Sequence, residues 1–331
     1  MRAHGITNFH VCVDKKYWKA NQTTEGYCIE CFEDLFRSVS EKFDIIVAFY
    51  GFELDFIERY MGKFGNHINV ILYEDIFPHF WMEPCVFCVS RNFYEKYDSE
   101  LTKLYEGLED NKSKEVLLSF IEQRISGDYK YSENILSDRQ NEYFAPDVIK
   151  EMKNLTLIDC GAFDGNDTKK FFDFYEGELF SYVIEPDEDN MCCIEKNLNE
   201  YVDYVMLIKK AILDVEAEFS FSSGGGEGSG LAADGDEKVL GISIDNLYQS
   251  SKVHFNNRTI IKMDIEGAEK KALQGAENFI KEKKPILVIC VYHKPEDIIE
   301  LPRLIKEMEP SYKFYLRRYN QGFYDTVLYA I

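Results

Sequence analysis

Short apolar runs alternate with amphipathic stretches through the second half of the chain, and the two periods, about 2 and about 3.6 residues, predict its elements. Strands are expected at Leu155–Cys160, Ser181–Glu185, Tyr204–Lys209, Thr259–Asp264 and Pro285–Tyr292. Helices are expected over about Asp167–Tyr175, Glu188–Glu200, Ala268–Lys283 and Pro295–Met308. Such alternation builds an α/β doubly wound, mostly parallel sheet, with ligands bound beyond the carboxyl ends of its strands. The pattern then changes. Tyr312–Arg318 and Phe323–Ala330 are joined only by Tyr319-Asn320-Gln321-Gly322, too short for a crossover helix, so they form an antiparallel C-terminal hairpin at the sheet edge.

The first part of the chain is less regular. Asp44–Tyr50, closed by Gly51, and Asn69–Tyr73 read as strands with the helical pattern FELDFIERYMGKF between them. A helix is expected before them, from about Tyr27 to Lys42, and helical spacing returns from about Asn92 to Arg124. Residues 1–130 thus form a smaller α/β N-terminal lobe with a helical connector, and 131–331 the sheet domain. A length of 331 residues suits about two domains.

Charge narrows the partners. The formal net charge is −21, from 59 acidic and 38 basic residues, which repels nucleic-acid phosphates and anionic membranes. No apolar run approaches the roughly 20 residues that cross a bilayer, and the first residues lack the apolar stretch of a signal peptide, so the expected location is cytoplasmic. The nine cysteines are read as reduced thiols. Cys28-x-x-Cys31 and Cys85-x-x-Cys88 have the inner spacing of a zinc site, but 53 residues separate the pairs, and buried thiols are the expectation.

The first strand of the sheet domain runs into Asp159-Cys160-Gly161-Ala162-Phe163-Asp164-Gly165-Asn166-Asp167-Thr168. Its glycines allow close backbone approach to a ligand, yet the spacing is not that of a dinucleotide loop. Three aspartates and no basic residue oppose a pyrophosphate and favour a cofactor carrying an ammonium and a sulfonium. The second strand ends at Glu185, 24 residues after Gly161, near the offset at which an acid accepts hydrogen bonds from ribose hydroxyls.

With these residues in place, LIDCGAFDGNDT, VIEPDEDN, KKAILD, IKMDIEGAEKKALQGAENFI and the closing YLRRYN and DTVLYA resemble, in order, the motifs of the FkbM family of methyltransferases, over about 180 residues. The resemblance implies a class I methyltransferase (Rossmann-like) sheet, S-adenosylmethionine as methyl donor, and O-methylation of a sugar, glycan precursor or other small hydroxylated metabolite. It also implies a cofactor site made of Asp159, Gly161, Ala162, Phe163, Asp164, Gly165 and Thr168, with Glu185 at the ribose and Pro186, Asp187 and Ala211 around the adenine.

Asp264-Ile265-Glu266-Gly267 closes the fourth strand and places two carboxylates at the mouth of the sheet, while His293 follows the fifth strand at the same end. Asp264, Glu266 and His293 are the candidate catalytic residues, with His293 as base because its ordinary pKa lies near working pH. Their donor atoms suit Mg, Mn or Zn, but no spacing specifies a metal and none is assigned. Tyr292, Arg318 and Tyr319 could line an acceptor pocket near the hairpin, with sheet packing the expected role of the tyrosines. The glycine-rich stretch Ser222–Gly230 is expected to be a hairpin tip between Glu218–Phe221 and Val239–Ile242. Two other functions compete with methyl transfer. A nucleotide-sugar or nicotinamide enzyme would want basic residues in the loop, and a non-catalytic binding module would not need acids at both Glu185 and Asp264.

Overall fold

The computed structural model describes residues 10–13, 15, 18–24, 27–38, 43–47, 68–72, 89–126, 129–150, 153–175, 177–222, 230–231, 237–250 and 258–331. Met1–Met82 and Glu83–Ile331 form two compact units.

In the first unit, β1 (Val11–Val13), β2 (Thr23–Thr24) and β3 (Tyr27–Cys31) make a three-stranded sheet with β3 central, and the helix Phe32–Ser38 follows. A parallel pair, β4 (Phe43–Val47) and β5 (Ile68–Leu72), corresponds to the two expected strands. The helix expected from Tyr27 to Lys42 is corrected at its start. Tyr27, Ile29 and Cys31 also alternate at the strand period, and ladder bonding of β3 to Val11–Val13 decides in favour of the strand. Residues three apart on a strand face opposite ways, and Cys28 is exposed while Cys31 is buried, so this pair does not present two thiols to one ion. The pattern FELDFIERYMGKF and the pair Cys85 and Cys88 lie outside the described residues.

The second unit is built on β6 (Leu155–Cys160), β7 (Leu179–Ile184) and β8 (Val205–Ile208), followed by β9 (Ala211–Ile212), β10 (Glu218–Ser222), β11 (Gly230–Leu231), β12 (Glu237–Ile242), β13 (Thr259–Met263), β14 (Ile286–Cys290), β15 (Phe314–Arg318) and β16 (Thr326–Ala330). The main sheet has the order β15-β16-β14-β13-β6-β7-β8. Its five inner and far strands run parallel, and β16 inserts antiparallel between β14 and β15. Every residue of β6 and β13 is buried, which is why their sequences are nearly continuous apolar runs. A smaller sheet, β11-β10-β12-β9, carries the hairpin flanking the glycine-rich stretch, whose residues 223–229 lie outside the described ones.

The helices Asn166–Phe174, Glu188–Asn197 and Asp297–Met308 fall where the periodicity put them. The long helix expected at Ala268–Lys283 is instead two, Glu269–Gln274 and Glu277–Lys283, divided at Gly275. A Cβ on Gly275 would stand 2.1 Å from the Leu213 carbonyl oxygen, so the backbone after β9 occupies the place of a side chain. Among the described residues no helix is long and apolar enough to cross a membrane.

Helices Arg91–Glu95, Asp98–Gly107 and Asn111–Ser126 also belong to the second unit. Val116, Leu117 and Phe120 share one core with Leu157, Ile261 and Val288. The unit boundary therefore falls at 82/83, whereas the periodicity placed it at 130/131, because apolar spacing does not say which core a helix joins. Arg317 secures this packing. It is buried, reaches Asp110 Oδ2 at 2.7 Å and Asp147 Oδ2 at 2.8 Å, and so ties β15 to the start of the long helix.

Candidate active site

At the carboxyl end of β6 the chain turns sharply through Gly161, with φ +77°, where a Cβ would collide with the Asp264 carbonyl oxygen at 1.9 Å. The turn is held on β7: the amides of Gly161 and Ala162 both donate to the Ile184 carbonyl. This delivers the Phe163 amide to Glu185 Oε2 at 3.0 Å, with Phe163 itself in the left-handed region at φ 52° and exposed. Glu185 Oε1 accepts the Asp187 amide at 3.0 Å and the Asn190 side-chain amide at 3.4 Å. Three of about four lone-pair positions are then in use, leaving one acceptor position. Burial pushes the Glu185 pKa up, against the backbone amides that favour its charge.

Around this carboxylate, Asp187 caps the helix Glu188–Asn197 by accepting the Asn190 amide, Pro186 is half-buried, and Ala211 is buried at the start of β9. Ala162 is buried beneath the loop, and Gly165, with φ +81°, begins the helix Asn166–Phe174 against Ile194 and Leu198. Asp164 is half-buried, accepts the Asn166 amide, and its carbonyl receives Asn197 Nδ2 at 2.8 Å. The loop is thus fastened on both sides.

Asp159 lies deeper than a ligand contact. It is wholly buried, with Lys262 Nζ 3.0 Å from Oδ1 and the Thr168 hydroxyl donating to Oδ2 at 2.5 Å. Lys262 is the register partner of Asp159 on β13, and it also donates to the Gly161 carbonyl at 2.8 Å. Burial disfavours its charge, but the carboxylate beside it prevails and holds the ammonium protonated. Asp159 and Thr168 therefore support the loop from below.

The second group of residues stands one strand away. Asp264 Oδ2 accepts from the Tyr143 hydroxyl at 2.8 Å, and Oδ1 accepts from Tyr292 at 3.3 Å. His293 is nearly buried, with Nε2 3.3 Å from Asp264 Oδ1 and 3.7 Å from Glu266 Oε2, and Nδ1 2.9 Å from Glu269 Oε1. Glu269 is fully buried and also accepts the Ile265 amide, reaching back from the first turn of its helix. Burial opposes the imidazolium, but Glu269 and Asp264 outweigh it and raise the His293 pKa well above its ordinary value. Asp264 is held well below the usual carboxylate range; burial works against this, and His293, Lys262 and Tyr143 overcome it. The expectation of His293 as a free base does not suit these contacts, since an imidazole that keeps its proton at neutral pH does not accept another.

Asp264, Glu266 and His293 are thus brought together, as their places at strand ends implied. Tyr292 joins them. Arg318 and Tyr319 do not. Arg318 is buried, donating to the Asn320 carbonyl at 2.9 Å and to the Gln123 side chain and the Gly322 carbonyl, while the Tyr319 hydroxyl meets that of Tyr329 at 2.6 Å. Three members escaped the sequence reading: Tyr143, Lys262 and Glu269. A lysine inside the run TIIKM was a visible anomaly, since a buried lysine demands a partner. Tyr143 comes from an irregular stretch with no local signal.

A sheet of this order with an antiparallel insertion, and a glycine turn facing an acid at the end of the next strand, is the class I methyltransferase fold. Residues 159–316 match the methyltransferase FkbM domain. The matched stretch is thus similar to an FkbM methyltransferase domain, a class whose cofactor is S-adenosylmethionine. The crystal structure of methyltransferase FkbM from Methylobacillus flagellatus is similar at a TM-score of 0.73 and 20% identity, covering 97% of this chain and 83% of that one. Precorrin-6y C5,15-methyltransferase from Geobacter metallireducens is similar at a TM-score of 0.35 and 11% identity, over 60% of this chain and 91% of that one. Aeropyrum pernix fibrillarin, crystallised with natively bound S-adenosylmethionine, gives 0.38 and 8%, over 58% and 76%. No curated protein matches the chain.

Proposed function

We propose that the second unit O-methylates a small hydroxylated acceptor, a sugar or glycan precursor, with S-adenosylmethionine as donor. The observation that carries this reading is the convergence of Asp264, Glu266 and the hydroxyls of Tyr143 and Tyr292 beside the glycine turn, a set of acceptors and donors suited to holding neighbouring hydroxyl groups. The loop chemistry fits the cofactor: the spare acceptor position on Glu185 suits a ribose hydroxyl, the exposed Phe163 ring offers an apolar face, and the acidic rim suits a cation. Bound there, the cofactor supplies a methyl group activated by a positive sulfur.

The protein's own work is then alignment and proton handling. Tyr143 and Tyr292 have their pKa values pushed up by burial and by Asp264, so both stay protonated and fix the Asp264 carboxylate. Held this way, and with His293 keeping its proton, Asp264 orients the acceptor hydroxyl. Glu266 is 41% exposed and takes up the hydroxyl proton as the carbon–oxygen bond forms.

Calorimetric titration with S-adenosylmethionine, its demethylated product and NAD tests the cofactor assignment, and mass spectrometry after incubation with free and nucleotide-linked sugars tests the acceptor. Donor binding with a product heavier by one methylene on oxygen is expected. Tight NAD binding without donor binding, or methyl found only on nitrogen, would overturn the reading.

A further inference from the structure

The two edges of the main sheet are finished differently. At β15 the chain leaving the helix Asp98–Gly107 runs alongside: Leu108 bridges to Phe314, and the Glu109 amide donates to the Phe314 carbonyl at 3.1 Å. At the other end of the order stands β8, and among the described residues no strand pairs with its outer side. Such an edge is ordinarily blunted by a charge, a proline or a bulge, because its free amides and carbonyls can pair with another extended chain. Val205-Met206-Leu207-Ile208 contains no charge and no proline, and its register with β7 runs without a bulge. Val205 and Leu207 pack inward on the cluster of Val183 and Ile194. Val202, Tyr204 and Met206 remain 66%, 54% and 36% exposed. Large apolar side chains gathered beside an open edge mark a surface that another chain covers.

The charges flanking the strand point to the occupant. Asp203-Tyr204-Val205-Met206-Leu207-Ile208-Lys209 has an acid at one end, a base at the other and no charge between. Laid antiparallel against itself about Met206, it sets Asp203 opposite Lys209, Tyr204 opposite Ile208 and Val205 opposite Leu207, and two-fold symmetry makes each pairing occur twice. An ion pair then closes each end of an uncharged strand pair. Asp203 is exposed, and its carboxylate has no hydrogen bond or ion pair among the described residues. Lys209 meets Glu188 at the surface, but an ammonium has three donors and an exposed pair holds it weakly. Matched charges matter here because two copies of a chain with a net charge of −21 otherwise repel. We propose that two copies of this chain associate through β8, antiparallel about a two-fold axis at Met206, joining their seven-stranded sheets into one. The inference is independent of the function proposed above.

Sedimentation velocity of the full chain over a range of concentrations tests the pairing, and a reversible dimer is expected. Asp203→Lys sets lysine against lysine, and Lys209→Glu sets acid against acid. Each raises the dimer dissociation constant by about tenfold or more, because facing like charges repel. The double variant Asp203→Lys with Lys209→Glu restores the attraction with its signs exchanged and recovers most of that loss. Met206→Lys brings two ammonium groups together on the axis and leaves the chain monomeric. All three positions are exposed, and circular dichroism matching the wild type shows that each variant is folded. A wild type that stays monomeric at every concentration overturns the proposal, as does a dimer that none of these substitutions weakens. A double variant that associates no better than its single parents overturns the pairing of Asp203 with Lys209.

Discussion

Two clusters of charge meet at neighbouring strand ends, and they are built on opposite plans. Under the glycine turn, Asp159 faces Lys262, one acid to one base, with Thr168 and the Gly161 carbonyl completing the hydrogen bonds. Both side chains are almost wholly buried. Beyond β13, three carboxylates share one imidazole, and Glu266 opens the group to solvent. The balanced pair holds backbone in place; the second group stands open to solvent on the Glu266 side. Although Asp159 and Asp264 both end strands, only their surroundings distinguish a supporting acid from a working one.

The comparison breaks most visibly at Lys262. Lys262→Met leaves Asp159 buried without its counter-ion, and urea denaturation is expected to show a loss of about 3–5 kcal/mol. The double variant Asp159→Leu with Lys262→Met recovers most of that stability but not donor affinity. The second cluster responds in the opposite sense. His293→Ala lowers single-turnover methyl transfer by about tenfold to a hundredfold, as expected for a residue that orients reacting groups, and lowers the melting temperature because Glu269 is left buried without its counter-ion, while donor affinity changes little. Asp264→Asn lowers turnover, because it removes the carboxylate charge that the Tyr143 and Tyr292 hydroxyls hold in place. Glu185→Ala tests the cofactor side alone. It removes the acceptor facing the loop, and calorimetry is expected to show about 1–3 kcal/mol lost in donor affinity.

The smallest effect sharpens the picture of the rim. Glu142 is pushed up to about 8 from an ordinary 4.5, by burial first and then by Asp325, Asp167 and Asp264, with Arg139 opposing. The folded state keeps a proton that the unfolded chain has already released between those values. Stability from this group is therefore full below 4.5 and declines as pH rises toward 8. Glu142→Gln should melt higher than wild type at pH about 8, by about 2–4 °C for each kcal/mol recovered, and match it at pH about 4. An equal melting temperature at both would mean the rim is less acidic in effect than its residues suggest.

Most of the sheet domain was legible because its strands are buried on both faces. Leu155–Cys160 appears at its expected bounds, and the hairpin direction followed from a linker too short for a helix. Gly161 and Glu185 were legible as a pair, through their spacing. What escaped depended on contacts between distant segments: Tyr143 reaches Asp264 across 121 positions, and Lys262 finds Asp159 only through strand register. Tyr27–Cys31 was misread because five residues satisfy either period, and its partner strand decided between them. The boundary at 82/83 belongs to the same class of facts, since it depends on which core the helices before the sheet join.

The place of β16 between β14 and β15 also governs how this protein is made. During synthesis β14 emerges with its outer edge bare, and β15 follows with no strand yet to join it to the rest. Thr326–Ala330 pairs with both and so seals the two edges at once. Until then the nascent domain exposes an apolar strand edge of the kind that invites aggregation. Completion of this sheet thus depends on a single strand, and slow pairing of Thr326–Ala330 leaves two apolar edges bare.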